Sequence, residues 1–289
     1  MIKFPFEEYR DGQRKLINIS YQTIKENEIL FTQAPTGIGK TISTIFPSVK
    51  AIGEGIGERI VYLTAKTINR EVAEDTFEKL RKEGLCFKNI TITAKEKICI
   101  NETFDCNPEK CIYAQDYYGK VKEAITYIID HEERISSEIL RKYAESYKVC
   151  PFELSLDISL YCDGIIGDYN YIFDPRASLG RLLESSGNIV LIDEAHNLID
   201  RARSMYSASL SKSQIMQCKK ITKGKLNKIH NVLGKINNYF IDIRNECDHK
   251  DVQWFSEKEE PKELNKQLQL YLKESEEILV RGNRFEGYE

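Results

Sequence analysis

The sequence predicts an α/β fold, a doubly wound parallel sheet, and three observations carry that prediction. Short apolar runs recur at residues 28–33, 59–64, 90–93, 164–168 and 188–193, each compact enough to be a strand buried on both faces. Between them lie stretches with apolar residues at three- and four-residue steps, at 13–25, 41–53 and 67–84, as helices with one buried face require. Strand and helix alternate along the chain, the pattern of helices wound on both faces of a parallel sheet.

The 289 residues suffice for one large α/β domain with a smaller insertion or appendage, and are few for two such domains with insertions. Composition is that of a soluble globular protein, 41% hydrophobic and 30% charged. No apolar run approaches the roughly 18 residues of a membrane span. Residues 1–10 mix Lys3, Glu7, Glu8 and Arg10 with aromatics, unlike a secretory signal, so the chain is expected in the cytoplasm and away from membranes. A net charge of -3 gives no basic footprint, and any nucleic-acid contact has to come from a local surface. In a reducing compartment, close cysteines among the eight present point to metal or catalysis sooner than to disulfides.

The first helix is preceded by Phe4, Phe6, Tyr9 and Arg10 and opens on Gln13. A primary amide can donate and accept at once against adenine N7 and its amino group, so Gln13 is a candidate for selecting ATP.

The run at 28–33 leads into Ala34, Pro35, Thr36, Gly37, Ile38, Gly39, Lys40 and Thr41, with a helix after it. This is a P-loop with alanine in the first glycine position. Loop N–H groups and the helix N-terminus bind phosphate oxygens, Lys40 reaches the outer phosphates and the Thr41 hydroxyl ligates Mg2+. The order strand, loop, helix is what makes the motif specific.

Residues 95–148 break the alternation. They carry cysteines, then helical segments dense in both charge signs, and read as an insertion between two strands. Cys99, Cys106 and Cys111, with Cys150 followed by Pro151, form a three-plus-one set bracketing it. Structural zinc prefers close pairs, whereas cluster cysteines are more widely spaced, so spacing leaves iron-sulfur and zinc both open with a lean to the former. Cys86, Cys162, Cys218 and Cys247 stand alone and are read as ordinary thiols.

The last apolar run ends in Asp193, Glu194, Ala195 and His196. Asp193 can hold Mg2+ through its water shell, and Glu194 can orient and deprotonate a water attacking the γ-phosphate, which makes Lys40, Asp193 and Glu194 the candidate catalytic set. Beyond about Ala208 no strand signal returns. Leu226, Ile229, Leu233, Ile236, Phe240 and Ile243 mark an apolar helical stripe, with a second helix near 264–279.

Together these residues resemble the XPD/DinG family of superfamily 2 DNA helicases. Tyr9 to Gln13 looks like its Q motif, which brings Arg10 to the ATP site. Ala34 to Thr41 looks like motif I, Leu63 to Thr67 like motif Ia, and Asp193 to His196 like motif II. Lys97-Ile98-Cys99 and Cys150-Pro151-Phe152 resemble the first and last ligands of its four-cysteine cluster, and 168–175 resembles the segment after the next strand.

The resemblance implies a RecA-like motor domain at 1–94 and 151–207, a 4Fe-4S insertion at 95–150, and the start of a helical arch at 208–289. It implies ATP, Mg2+ and a 4Fe-4S cluster as cofactors, single-stranded DNA or DNA junctions as partners, and 5′ to 3′ translocation by a monomer. Lys66, Tyr169 and Tyr171 are the candidate DNA contacts, since basic and aromatic side chains track single strands. Nothing after His196 supplies the family's second RecA-like domain, whose arginines can be worth about 10³ to 10⁵ in rate. The chain is therefore expected to bind ATP and hydrolyse it slowly. Two readings stand beside the helicase: a nucleic-acid-binding or redox-sensing module that kept the nucleotide fold, and a P-loop ATPase with zinc in its insertion.

Overall fold

The computed structural model describes residues 2–102, 105–180, 187–254 and 256–280. The chain forms two compact units, Met1–Tyr206 and Ser207–Glu289. No described helix is long and apolar enough to cross a membrane.

In the first unit the described strands are β1 (Arg59–Leu63), β2 (Asn89–Thr91), β3 (Arg134–Ile135), β4 (Gly164–Gly167) and β5 (Asn188–Ile192). They pair in the order β3-β2-β4-β1-β5, and every pairing is parallel. Alternation along β1 assigns the two faces. Ile60 and Tyr62 pack with Ile17 of α1 (Gln13–Lys25), Ile45 of α2 (Lys40–Gly53) and Phe77 of α3 (Thr67–Lys82). Val61 and Leu63 turn to the other face, against Tyr169 and Met205, the last residue of α9 (Asn197–Met205). Both faces are covered, as a doubly wound sheet requires.

One expectation is corrected. The apolar run at 28–33 forms no strand, and Ile29 and Phe31 are 84% and 88% exposed. A strand needs a neighbour for its N–H and C=O groups, and no described segment lies alongside this one. The outer side of β5 is likewise unpaired among the described residues, with Val190 and Ile192 partly exposed.

The segment read as an insertion lies in sequence between β2 and β4, which are neighbours in the sheet. It contributes β3, which extends the sheet beside β2. Its helices α4 (Lys95–Ile98), α5 (Tyr117–His131) and α6 (Ser137–Tyr147), with α7 (Pro151–Ile158) after it, share one core with Ile90 and Ile165 of the sheet and Ile92 just past β2. A strand of two residues is short, and side chains hold it: Ile135 is fully buried, worth about 2 kcal/mol, and Arg134 donates to Glu74 of α3 at 2.6 Å.

The second unit is helical: α10 (Lys212–Thr222), α11 (Asn227–Lys250) and α12 (Lys262–Val280). The stripe Ile229, Val232, Leu233 and Ile236 of α11 is buried against Ile215 of α10 and Leu264 and Leu268 of α12. Ser211 caps α10 through a reciprocal box with Gln214.

Candidate nucleotide site and cysteine cavity

The P-loop sits where α2 begins. Gly37 and Gly39 have φ of 86° and 82°, a region open to glycine at little cost. At Gly39 space decides as well, because a Cβ there would lie 2.6 Å from the amide nitrogen of Gln13. The first-turn N–H groups of α2 have no intrahelical acceptor, which leaves donors and the positive helix end for an anion. Lys40 folds back, its Nζ 3.3 Å from the Ala34 carbonyl.

Gln13 is buried, 3% exposed, and its amide oxygen accepts the Arg10 backbone N–H at 3.0 Å. The Arg10 guanidinium donates to the Gly37 carbonyl. The two residues thus tie the N-terminal segment to the loop, and here the Gln13 amide serves the loop's shape instead of standing open to a base.

The acidic pair lies at the end of β5. The Asp193 N–H donates to the Leu63 carbonyl at 2.9 Å, continuing the ladder one residue past the strand, and its Oδ2 accepts Asn69 Nδ2 at 2.6 Å. Glu194 has φ of 51°, a left-handed conformation costly for a residue with a Cβ. Its carbonyl is held on three sides, by Asn197 N–H at 3.0 Å, Asn197 Nδ2 at 3.1 Å and the Tyr169 hydroxyl at 3.2 Å. The Tyr169 hydroxyl also donates to the Asp193 carbonyl. Burial, with the Asp193 carboxylate adding, pushes that hydroxyl's pKa up to about 12, so it remains a donor at ordinary pH.

Glu194 Oε1 comes within 3.8 Å of Lys40 Nζ. Loop and acidic pair thereby face one another across the carboxyl end of the sheet, where open α/β sheets bind their ligands. The donor set fits Mg2+: a carboxylate at Asp193 and a hydroxyl at Thr41 suit a hard cation that keeps several waters.

Of the three candidate DNA contacts, Tyr169 is corrected. It is fully buried and its hydroxyl is committed to the Asp193–Glu194 backbone, so it has no surface to offer a strand. Lys66 is exposed at the start of α3, and Tyr171 is half-buried with its ring over Gly167. A basic surface was missed. Residues 207–241 contain seven lysines and no Asp or Glu. Lys220, Lys223, Lys225 and Lys235 are exposed and, with the half-buried Lys219, have no ion pair among the described residues. Charge counted by segment instead of over the whole chain would have found it.

Cys99, Cys106, Cys111 and Cys150 all line one cavity of about 250 Å3, against the roughly 10–15 Å3 that one water needs. Asn101 Nδ2 donates to Cys111 Sγ at 3.2 Å. Cys150 caps α7 just before Pro151; burial raises its thiol pKa, opposed by the N–H groups of Glu153 and Phe152. Among the described residues no three His, Cys, Asp or Glu converge closely enough to hold a single metal ion. The thiols surround a space instead of a point, and a donor set of four cysteines on such a space fits an iron-sulfur cluster.

A parallel sheet with a P-loop and an acidic pair at its carboxyl end defines a RecA-like domain of the P-loop class. A family model described as DEAD_2 matches residues 68–215, just over half of the sequence, and the chain belongs to the DEAD_2 family. It is 24% identical over 260 residues to the regulator of telomere elongation helicase 1 homolog of Caenorhabditis briggsae, covering 75% of this chain and 26% of that protein. It is 40% identical over 99 residues to the ATP-dependent DNA helicase CHL1 of Kluyveromyces lactis, 34% of this chain and 12% of that one. The chain thus spans about a quarter or less of these relatives. Among solved structures it is similar to one titled XPD_Helicase, with a TM-score of 0.57 and 20% identity over 96% of this chain and 48% of that chain. Another, titled Truncated XPD, gives 0.55 and 19% over 93% and 77%.

Proposed function

We propose that this chain is the nucleotide-binding portion of an ATP-dependent DNA helicase, coupling ATP hydrolysis to 5′ to 3′ movement along single-stranded DNA, with a 4Fe-4S cluster in the cysteine cavity. The observation that carries it is the approach of Lys40 to Glu194, which assembles the two halves of an ATP site from distant parts of the sequence. Relatives named as helicases support the DNA part of the reading.

In this scheme the α2 N-terminus and the loop N–H groups receive the phosphates. Lys40 exchanges Glu194 for the outer phosphate oxygens. The exchange is cheap, because a pair about one-third exposed is worth only roughly 0–1 kcal/mol. Freed of the lysine, Glu194 accepts the proton of the attacking water. Thr41 and Asp193 would hold Mg2+, which when bound neutralises charge developing on the phosphates. Lys66 in the first unit and the 207–241 lysines in the second would each contact DNA phosphates.

Binding of a fluorescent ATP analogue with Mg2+ tests the nucleotide part. Lys40→Ala should weaken it at least about ten-fold, whereas Glu194→Gln should retain it. Equal affinity in Lys40→Ala would sink the site. Iron, acid-labile sulfide and zinc in anaerobically purified protein test the cluster: about four irons and four sulfides per chain, lost in Cys111→Ser, are expected. Zinc in their place would leave a P-loop ATPase with a zinc insertion, and RNA outcompeting DNA would redirect the substrate.

A further inference from the structure

Tyr62 lies in the middle of β1 and is 2% exposed. Its ring packs in the core formed with α1, α2 and α3, where any aromatic would serve. Its hydroxyl is buried with no hydrogen-bond partner, the ring packs with Ile42 beside Thr41 in the first turn of α2, and the next residue, Leu63, accepts the Asp193 N–H at 2.9 Å. A buried hydroxyl left unpaired is destabilising, so a group placed in this way is a donor available to an acceptor. Asn69, in the first turn of α3, already donates to Asp193 Oδ2 at 2.6 Å.

We propose that Tyr62 and Asn69 are positioning residues of the Mg2+ site: Asn69 fixes one oxygen of Asp193, and the Tyr62 hydroxyl donates to the site's oxygen ligands once the metal is held between Thr41 and Asp193. This rests on the nucleotide site proposed above and adds two residues that the loop and acidic motifs do not contain. The geometry follows from the sheet. Tyr62 is in register with Leu191 of β5, two residues before Asp193, and its side chain turns to the α2 face, where Thr41 sits in the helix's first turn. Asn69 sits in the first turn of α3, which leaves β1 at its carboxyl end. Hydrogen bonds to the ligands of a metal orient them and commonly change affinity by about 10–100-fold.

The test is Tyr62→Phe in the full chain, with two readouts. Without metal or nucleotide, thermal stability should stay equal or rise, since only an unpaired hydroxyl is removed. In titrations of Mg2+ against a fluorescent ATP analogue, the half-saturating Mg2+ concentration should rise about ten-fold or more, with metal-free nucleotide affinity unchanged. Asn69→Ala, on a partly exposed helix turn, should shift the same Mg2+ dependence in the same direction. Unchanged Mg2+ dependence in both variants, or a metal-free loss of stability in Tyr62→Phe, would overturn the proposal and leave the nucleotide site standing. Failure of the unmodified chain to bind nucleotide with Mg2+ would overturn both.

Discussion

Glu194 has to present its carboxylate from a left-handed backbone, a conformation that persists only where the surroundings impose it. Tyr169 does much of that imposing. Its ring is buried against Val61 and Leu63, and its hydroxyl holds the carbonyls of Asp193 and Glu194. Tyr169→Phe keeps the ring and leaves the Asp193 carbonyl without that donor, so a stability loss of about 1–3 kcal/mol is expected, read as a lower urea midpoint with unchanged slope. An unchanged midpoint would show that the Asn197 bonds suffice. Tyr169 and Tyr171 looked alike in sequence, as two aromatics of one segment. Tyr169 is the N-cap of α8 (Asn170–Phe173), which carries Tyr171, and which of the two is buried depends on how that turn meets a sheet whose order the segment itself does not contain.

At the scale of elements, α3 links the two ends of the site. Its first turn carries Asn69, bonded to Asp193, and Arg70, paired with Asp168 at 3.1 Å in a largely buried bridge. Lys66, a candidate DNA contact, is its N-cap. A DNA strand engaging the start of α3 would therefore act on residues that touch Asp193, the carboxylate proposed to hold Mg2+. In the second unit, the α10–α11 region makes its own prediction. Replacing Lys219, Lys220, Lys223 and Lys225 with Gln should weaken binding of fluorescent single-stranded DNA. The slope of log affinity against log salt should shrink by up to about 3, at roughly 0.7 per phosphate contact. Equal slopes for the two proteins would remove these lysines from the DNA path.

For the molecule as a whole, the described sheet is well buried at β1 and β4 and least so at β5, and the segment before the P-loop is exposed. Exposed Ile29 and Phe31, and the partly exposed Val190 and Ile192 on the side of β5 that is unpaired among the described residues, are apolar groups on backbone without strand partners, of the kind that drives edge-to-edge association. Phe31→Ser should lower concentration-dependent self-association in sedimentation velocity with little change in melting temperature, because the side chain it removes is exposed. Persistence of the same oligomers would place the association elsewhere.

Local chemistry made much of this protein legible in its sequence. The P-loop, α1 over Gln13–Lys25, the four strands β1, β2, β4 and β5 and the α11 stripe follow from periodicity, glycine placement and apolar runs, all of which act within a few residues. The tertiary structure decided what depends on strand order and long-range pairing. It left 28–33 unpaired despite its apolar pattern, and it recruited Arg134 and Ile135 into a strand too short to announce itself. It turned Tyr169 inward, and it brought Tyr62, Asn69 and Lys40 to the Asp193–Glu194 pair. Those contacts join residues far apart in the chain, and their free energy comes from burial and hydrogen bonds that exist only once the sheet has assembled.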